Sequence, residues 1–76
     1  MSLKDTFYIF YFCSLDGVSD TLLRYMHKDN HTVYVKEYDK DDKFYHIGVF
    51  NIKQNGERYL DKFDVPISSI HHIEIV

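Results

Sequence analysis

The chain has 76 residues, of which 45% are hydrophobic and 28% charged, and its formal net charge at neutral pH is −3. This length supports one hydrophobic core, so residues 1–76 are predicted to form a single domain, and the composition excludes a disordered tail. The nine basic residues form no cluster, which disfavours nucleic acid as the partner because phosphate backbones are bound by concentrated Lys and Arg.

Composition also predicts where the protein works. The chain lacks an apolar run of about 20 residues and a signal-peptide pattern, so we expect a cytoplasmic protein with no membrane contact. The single cysteine, Cys13, is expected to be a small core residue and fits a reducing cytosol. Phe, Tyr, Met, Ile, Asn and Lys, whose codons are AT-rich, fill 32 of the 76 positions. This bias indicates an AT-rich genome, such as that of a low-GC bacterium, a phage or a large virus, and a phage protein would act in the host cytoplasm.

The stretch "DTFYIFYFCS" at residues 5–14 contains an apolar run that favours a β-strand. Side chains of a strand alternate between its two faces. One face of this strand would carry Phe7, Ile9, Tyr11 and Cys13, and the other Tyr8, Phe10 and Phe12. Because both faces are apolar, we expect a central strand that is covered on both sides, or covered by a second molecule.

The next stretch, "GVSDTLLRYMHKDN", predicts a helix of about nine residues. Ser19 is a plausible N-cap, Asp20 suits the positive end of the helix dipole, and Asn30 can close the C-terminal end. The apolar stripe that should dock on the sheet consists of Val18, Leu22, Leu23 and Met26. The alternative is that residues 20–28 form a strand, joined to the first strand by a hairpin at "LDGVSD".

Strands and tight turns are predicted from His31 onward. In "HTVYVKEYD", Val33 and Val35 share one face, and Tyr34, Lys36 and Tyr38 the other. "KDD" is a polar turn before "KFYHIGVFNIK", in which Phe44, Phe50 and Ile52 lie opposite Tyr45, Ile47 and Val49.

The rest of the chain predicts a hairpin and a last strand. "QNGE" predicts a type I′ turn with positive φ at Asn55 and Gly56. "RYLDKFDV" then returns antiparallel until Pro66 stops the pairing, and "ISSIHHIEIV" supplies a short turn and the last strand.

The predicted fold is α+β, with about five antiparallel strands in the order β-α-β-β-β-β. They would form one strongly curved sheet or a small barrel with one short helix. The ending "DVPISSIHHIEIV", a strand, a one-turn break and a strand, resembles the end of SH3-like and Sm-like barrels. A helix after the first strand departs from the usual SH3 order, so no function is carried over from these families.

The sequence predicts no enzyme and no cofactor. "YDKDDK" lacks the glycine and the closing glutamate of a calcium loop, and its aspartates are expected at a solvated hairpin tip. No nucleophile elbow or glycine-rich phosphate loop is present. In "HHIE", His72 and Glu74 would point the same way and could hold zinc or nickel with a third ligand such as His46 or His31. The favoured interpretation is an outward polar pair that holds no metal.

Exposed aromatic residues give two hypotheses of function. The first is a protein-binding module, for example a phage or mobile-element regulator or inhibitor, with a homodimer as its simplest form. The alternative is a small-barrel binder of RNA or single-stranded DNA that uses Tyr34, Lys36, Tyr38 and Lys53. Aromatic pairs that only stabilise the sheet are the competing structural explanation. The residues expected to contact a partner are Tyr34, Lys36, Tyr38, Phe44 and Phe50.

Overall fold

A computed structural model describes residues 7–76 as six strands, one α-helix and one 3₁₀ helix. In chain order these are β1 (Tyr8–Phe12), α1 (Asp20–Leu23), β2 (Thr32–Val35), β3 (Glu37–Lys40), β4 (Phe44–Ile52), β5 (Arg58–Pro66), the 3₁₀ helix (Ile67–Ser69) and β6 (Ile70–Ile75).

The strands form two antiparallel three-stranded sheets. The first sheet has the order β2-β1-β6 and the second the order β3-β4-β5. An α+β fold of mainly antiparallel strands with one short helix is therefore confirmed. The prediction of one curved sheet of about five strands is wrong, and closure into a barrel is not confirmed.

The second sheet arises because the run predicted as one strand, residues 31–39, bends at Lys36. The backbone amide of Lys36 donates a hydrogen bond to the carbonyl of Gly48 at 2.8 Å, which directs the following residues onto β4. The bend also changes which residues face the interior. Val33 and Val35 are buried before it, whereas Tyr38 lies beside the buried Ile47 after it. One run of alternating residues thus supplies both sheets.

Strand β1 is central, as predicted, but only one of its faces is buried. It pairs with β2 on one side and with β6 on the other. Phe10 and Phe12 are buried in the core, whereas Ile9 and Tyr11 on the opposite face are half-buried. The chain itself does not bury both faces, and the alternative, that a second molecule covers the other face, stays a prediction. The expectation of a core position for Cys13 is wrong. Cys13 follows the end of β1 and is exposed, with its thiol 3.4 Å from the carbonyl oxygen of Ser68.

Helix α1 is a single turn that begins as the sequence predicts. The Ser19 hydroxyl accepts a hydrogen bond from the Thr21 amide at 3.2 Å. The helix ends early because the next residues form tighter turns, and His27 then pairs with Thr32 as an isolated bridge. Neither a nine-residue helix nor a strand over residues 20–28 is present, and positive φ falls on His31 rather than Asn30. The predicted apolar stripe does pack on the core: Val18, Leu22, Leu23 and Met26.

The β4–β5 hairpin forms at "QNGE", but its turn is not type I′. Gly56 has a φ of +86°, whereas Asn55 does not have positive φ. The Asn55 side chain accepts a hydrogen bond from the Glu57 amide at 2.9 Å, and the Gly56 amide donates to the Lys53 carbonyl at 2.9 Å. The Asn55 side chain therefore closes the turn without positive φ at that residue.

The end of the chain follows the predicted pattern of strand, break and strand. Pro66 ends β5, the 3₁₀ helix follows, and β6 pairs with β1. The core between the sheets consists of Phe10, Phe12, Leu22, Met26, Val33, Val35, Ile47, Val49 and Val65. Among the described residues, no helix has the length and apolar character that crossing a membrane requires.

Candidate functional site

The side of the first sheet that points away from the core carries a row of large side chains. Pairing between the strands places Ile9 between Tyr34 and Glu74, and places Tyr11 beside His72. We call these five residues the outer face. Tyr34, His72 and Glu74 are exposed, with Tyr34 at 48% of its possible accessible surface. Aromatic side chains are therefore accessible on a rigid sheet, which is where binding surfaces are positioned most accurately.

A hydrogen-bonded network fixes the centre of the outer face. The Tyr11 hydroxyl donates to Glu74 Oε1 at 3.0 Å, and His72 Nε2 lies 3.3 Å from Glu74 Oε2. The rings of Tyr11 and His72 stack with centroids 4.2 Å apart. The hydrogen bond to Glu74 raises the pKa of Tyr11, because ionisation would place a phenolate beside a carboxylate. Tyr11 is therefore held as a neutral donor in one orientation.

Histidines border the outer face but do not complete a metal site. His27 lies 5.5 Å from Tyr34, ring centre to ring centre, and His71 Nδ1 lies 2.5 Å from His72 Nδ1. The prediction that His72 and Glu74 share a side is confirmed by their contact. Of the two suggested third ligands, His46 lies in the second sheet and His31 directly precedes β2. Within residues 7–76 no three His, Cys, Asp or Glu residues converge in a way that could hold a metal ion.

In the part of the chain that the structure describes, strand β6 is an open edge of the first sheet. The Val76 amide donates to the Phe7 carbonyl at 2.9 Å, and backbone groups of an antiparallel strand alternate in direction. His72 and Glu74 therefore direct their backbone groups to β1, and the intervening His71, Ile73 and Ile75 direct theirs away from it. The structure gives these outward groups no hydrogen-bond partner among the residues it describes.

The structure does not bring the five predicted contact residues together on one surface. Tyr34 belongs to the outer face, whereas Tyr38 packs edge-on against Tyr8 and Phe10 at centroid distances of 4.9 and 5.1 Å. Phe44 is exposed at the start of β4. Of the five, Lys36 and Phe50 are in contact, with Lys36 Nζ 5.9 Å from the ring centre.

Sequence reasoning missed how three residues of the outer face combine. It placed His72 and Glu74 on one side of the last strand, and Tyr11 on the side of β1 that proved to face outward. The missing information was that β6 pairs with β1, more than 50 residues apart in the chain. No local pattern specifies such a pairing.

A second cluster lies in a cleft between the α1 segment and the β4–β5 hairpin. The cleft is lined by Thr21, Arg24, Tyr25, Asn51, Tyr59 and Asp61. The Tyr25 hydroxyl donates to Asp61 and accepts from the Asn51 amide at 2.5 Å. Burial, followed by the hydrogen bond to Asp61, raises the pKa of Tyr25 to about 12. This network joins the turn after α1 to the β4–β5 hairpin, and its polar side chains are hydrogen-bonded to one another.

The β3–β4 turn is held by a histidine between two carboxylates. His46 Nδ1 lies 2.6 Å from Asp64 and its Nε2 lies 2.9 Å from Asp41. Asp41 Oδ1 also accepts hydrogen bonds from the Lys43 and Phe44 amides, each at 2.8 Å. These two amide bonds, followed by the contact with His46, lower the pKa of Asp41 to about 2. The predicted solvated hairpin tip is thus an exposed turn that Asp41 organises.

Comparison of the chain with protein-family models, with curated proteins and with solved structures finds no match. The features that bear on function are therefore the outer face, the β6 edge and the chemistry of the residues that form them.

Proposed function

We propose that the protein is a non-enzymatic protein-binding module that uses the first sheet to contact its partner. The observation that carries the proposal is the accessible outer face, where Tyr34 is half exposed and the Tyr11–His72 stack lies beside an open strand edge. Tyrosine and other aromatic residues are enriched at protein interfaces. An open strand edge adds backbone hydrogen bonds that a partner strand can use.

The rigidity of the outer face supports the proposal. Tyr11 is fixed by Glu74 and by stacking on His72, so binding would order few additional rotamers of these side chains. The net charge of −3 also favours a protein over a phosphate backbone as the partner.

The biological role we propose is that of a small regulator or inhibitor encoded by a phage or another mobile element. It would act in the cytoplasm, which for a phage protein is the host cytoplasm. The support for this role is the small size of the chain and its content of residues with AT-rich codons. A module of this size can block or recruit a larger protein without chemistry of its own.

Photo-crosslinking from within the first sheet tests the proposal. A benzoylphenylalanine introduced at Tyr34 should form one predominant protein adduct in cells of the source organism, because this side chain points into the proposed interface. The matched control is the same residue at Asp42, which is exposed in the β3–β4 turn of the second sheet. Equal adduct patterns from the two positions, or no protein adduct from Tyr34, would contradict the proposal.

One cluster favours the alternative of single-stranded nucleic-acid binding. Phe50 is half-buried on the second sheet, with Lys36 Nζ 5.9 Å and Arg58 Cζ 5.8 Å from its ring centre. An aromatic ring beside two cations can stack on a base while the cations contact phosphate. The test is retention of the protein on a single-stranded oligonucleotide at increasing salt. This alternative is favoured if the retention depends on salt, is lost in Phe50→Ala and is kept in Tyr34→Ala.

A further inference from the structure

We infer that the open edge of β6 pairs with β6 of a second copy of the chain around a two-fold axis perpendicular to the first sheet. The inference rests on the proposed function and names the partner of its strand edge. It would produce one six-stranded sheet in the order β2-β1-β6-β6-β1-β2. Three features of β6 support this pairing: the direction of its backbone groups, the side chains that would face each other and the apolar surface that would become covered.

The direction of the backbone groups limits the possible registers. Only His71, Ile73 and Ile75 direct their amide and carbonyl groups outward, so these residues must face one another for hydrogen bonds to form. Symmetric pairing then places one of the residues 71–75 on the axis. With Ile73 on the axis, three outward pairs form: Ile73 with itself, and His71 with Ile75 twice. The registers centred on His72 or Glu74 form two outward pairs, and those centred on His71 or Ile75 form one.

The side chains of the outer face favour the same register. When Ile73 lies on the axis, His72 of each copy is directly opposite Glu74 of the other. Placing His72 on the axis would bring the two copies of His72 together, and placing Glu74 there would oppose two carboxylates. An imidazole opposite a carboxylate can donate a hydrogen bond to it, whereas two carboxylates directly opposite each other destabilise a strand pair. Because the pairing is reciprocal, the same strand is complementary to itself.

The edge also lacks two of the residues by which proteins prevent strand pairing. The residues of β6, "IHHIEI", include no proline and no lysine. Ile75 exposes 73% of its possible surface and Val76 63%, so an apolar tip adjoins the free backbone groups. Pairing would cover part of this tip, and the hydrophobic gain would add to the hydrogen bonds.

The first test measures self-association at micromolar to millimolar concentrations by sedimentation equilibrium. We expect a species of twice the 9.2 kDa of one chain. Ile75→Pro removes an outward amide and leaves the β1–β6 ladder intact, so it should weaken dimerisation by about tenfold or more. Ile75→Thr keeps that amide and should weaken dimerisation less. Circular dichroism of each variant checks that it is folded. A wild-type monomer at every concentration, or equal effects of the two variants, would overturn the inference.

The second test measures the register by disulfide formation in a Cys13→Ser background. Ile73→Cys alone should form a crosslinked dimer, because this position lies on the axis. His72→Cys and Glu74→Cys should crosslink poorly alone and efficiently when combined in one chain, because these two positions face each other at a separation that suits a disulfide. The combined variant keeps the test valid if Ile73→Cys disturbs the core. Efficient crosslinking by His72→Cys alone or by Glu74→Cys alone would overturn the proposed register.

The two proposals can fail separately. If the chain stays monomeric while the photo-crosslinker at Tyr34 captures a different protein, the inference of a second copy is overturned and the proposed function stands. If the chain dimerises through β6 and the Tyr34 position forms no protein adduct, the inference of a second copy stands and the proposed contact of the outer face with another protein is overturned. If neither dimer nor adduct forms, both proposals are wrong.

Discussion

At the scale of single residues, His46 gives the protein a defined dependence on pH. Hydrogen bonds to Asp64 and then to Asp41 raise the pKa of His46 in the folded chain. Protonated His46 therefore stabilises the fold below its unfolded pKa of about 6.5, and this stabilisation is lost as the pH rises through the folded pKa. The lowered pKa of Asp41 has its effect at acidic pH. The stabilisation that ionised Asp41 contributes is lost as the pH falls from about 4 toward 2.

We therefore predict that thermal stability relative to His46→Gln is greatest at about pH 5 and declines by about pH 8. The chain contains four other histidines, so the quantity to compare is the difference in thermal midpoint between the wild type and the variant at each pH. A difference that stays constant from about pH 5 to pH 8 would show that the contacts with Asp41 and Asp64 do not favour the protonated ring.

At the scale of elements, the strands were predictable from sequence and their combination was not. The faces of β1 and β4 follow from residue alternation, and the cap at Ser19 follows from its side-chain oxygen. The bend at Lys36 was not predictable, because an amide bond to Gly48 in another strand determines it. That bend placed Tyr38 against the interior, so the predicted contact surface was divided. The outer face was missed for a related reason, since β1 and β6 meet only in the folded chain.

The β4–β5 turn provides a prediction at the same scale. Gly56 adopts positive φ, and a Cβ there would meet nothing within 4 Å, so the cost of a side chain comes from the backbone alone. Gly56→Ala should lower the free energy of unfolding by about 1–2 kcal/mol. Gln54→Ala, in the same turn and exposed, is the matched control and should change it by less than about 0.5 kcal/mol. Denaturant unfolding that gives equal values for the two variants would contradict this account of the turn.

At the scale of the whole molecule, the chain covers its two sheets unequally. Large apolar side chains fill the space between the sheets, but a central strand rich in aromatic residues leaves one face half accessible. Within residues 7–76, the strand beside it ends the sheet with backbone groups that no other strand pairs, and with an apolar tip. A small domain that places aromatic residues beside an open strand edge is suited to association with another protein.

Amide hydrogen exchange along β6, measured by NMR, tests this claim most directly. In the dilute chain, the amides of His72 and Glu74 should exchange slowly because they bond to β1, whereas those of Ile73 and Ile75 should exchange fast. When the partner is bound, or when the chain is concentrated enough to pair with itself, Ile73 and Ile75 should become protected. Slow exchange at Ile73 and Ile75 in the dilute chain, or fast exchange there in the complex, would contradict the account.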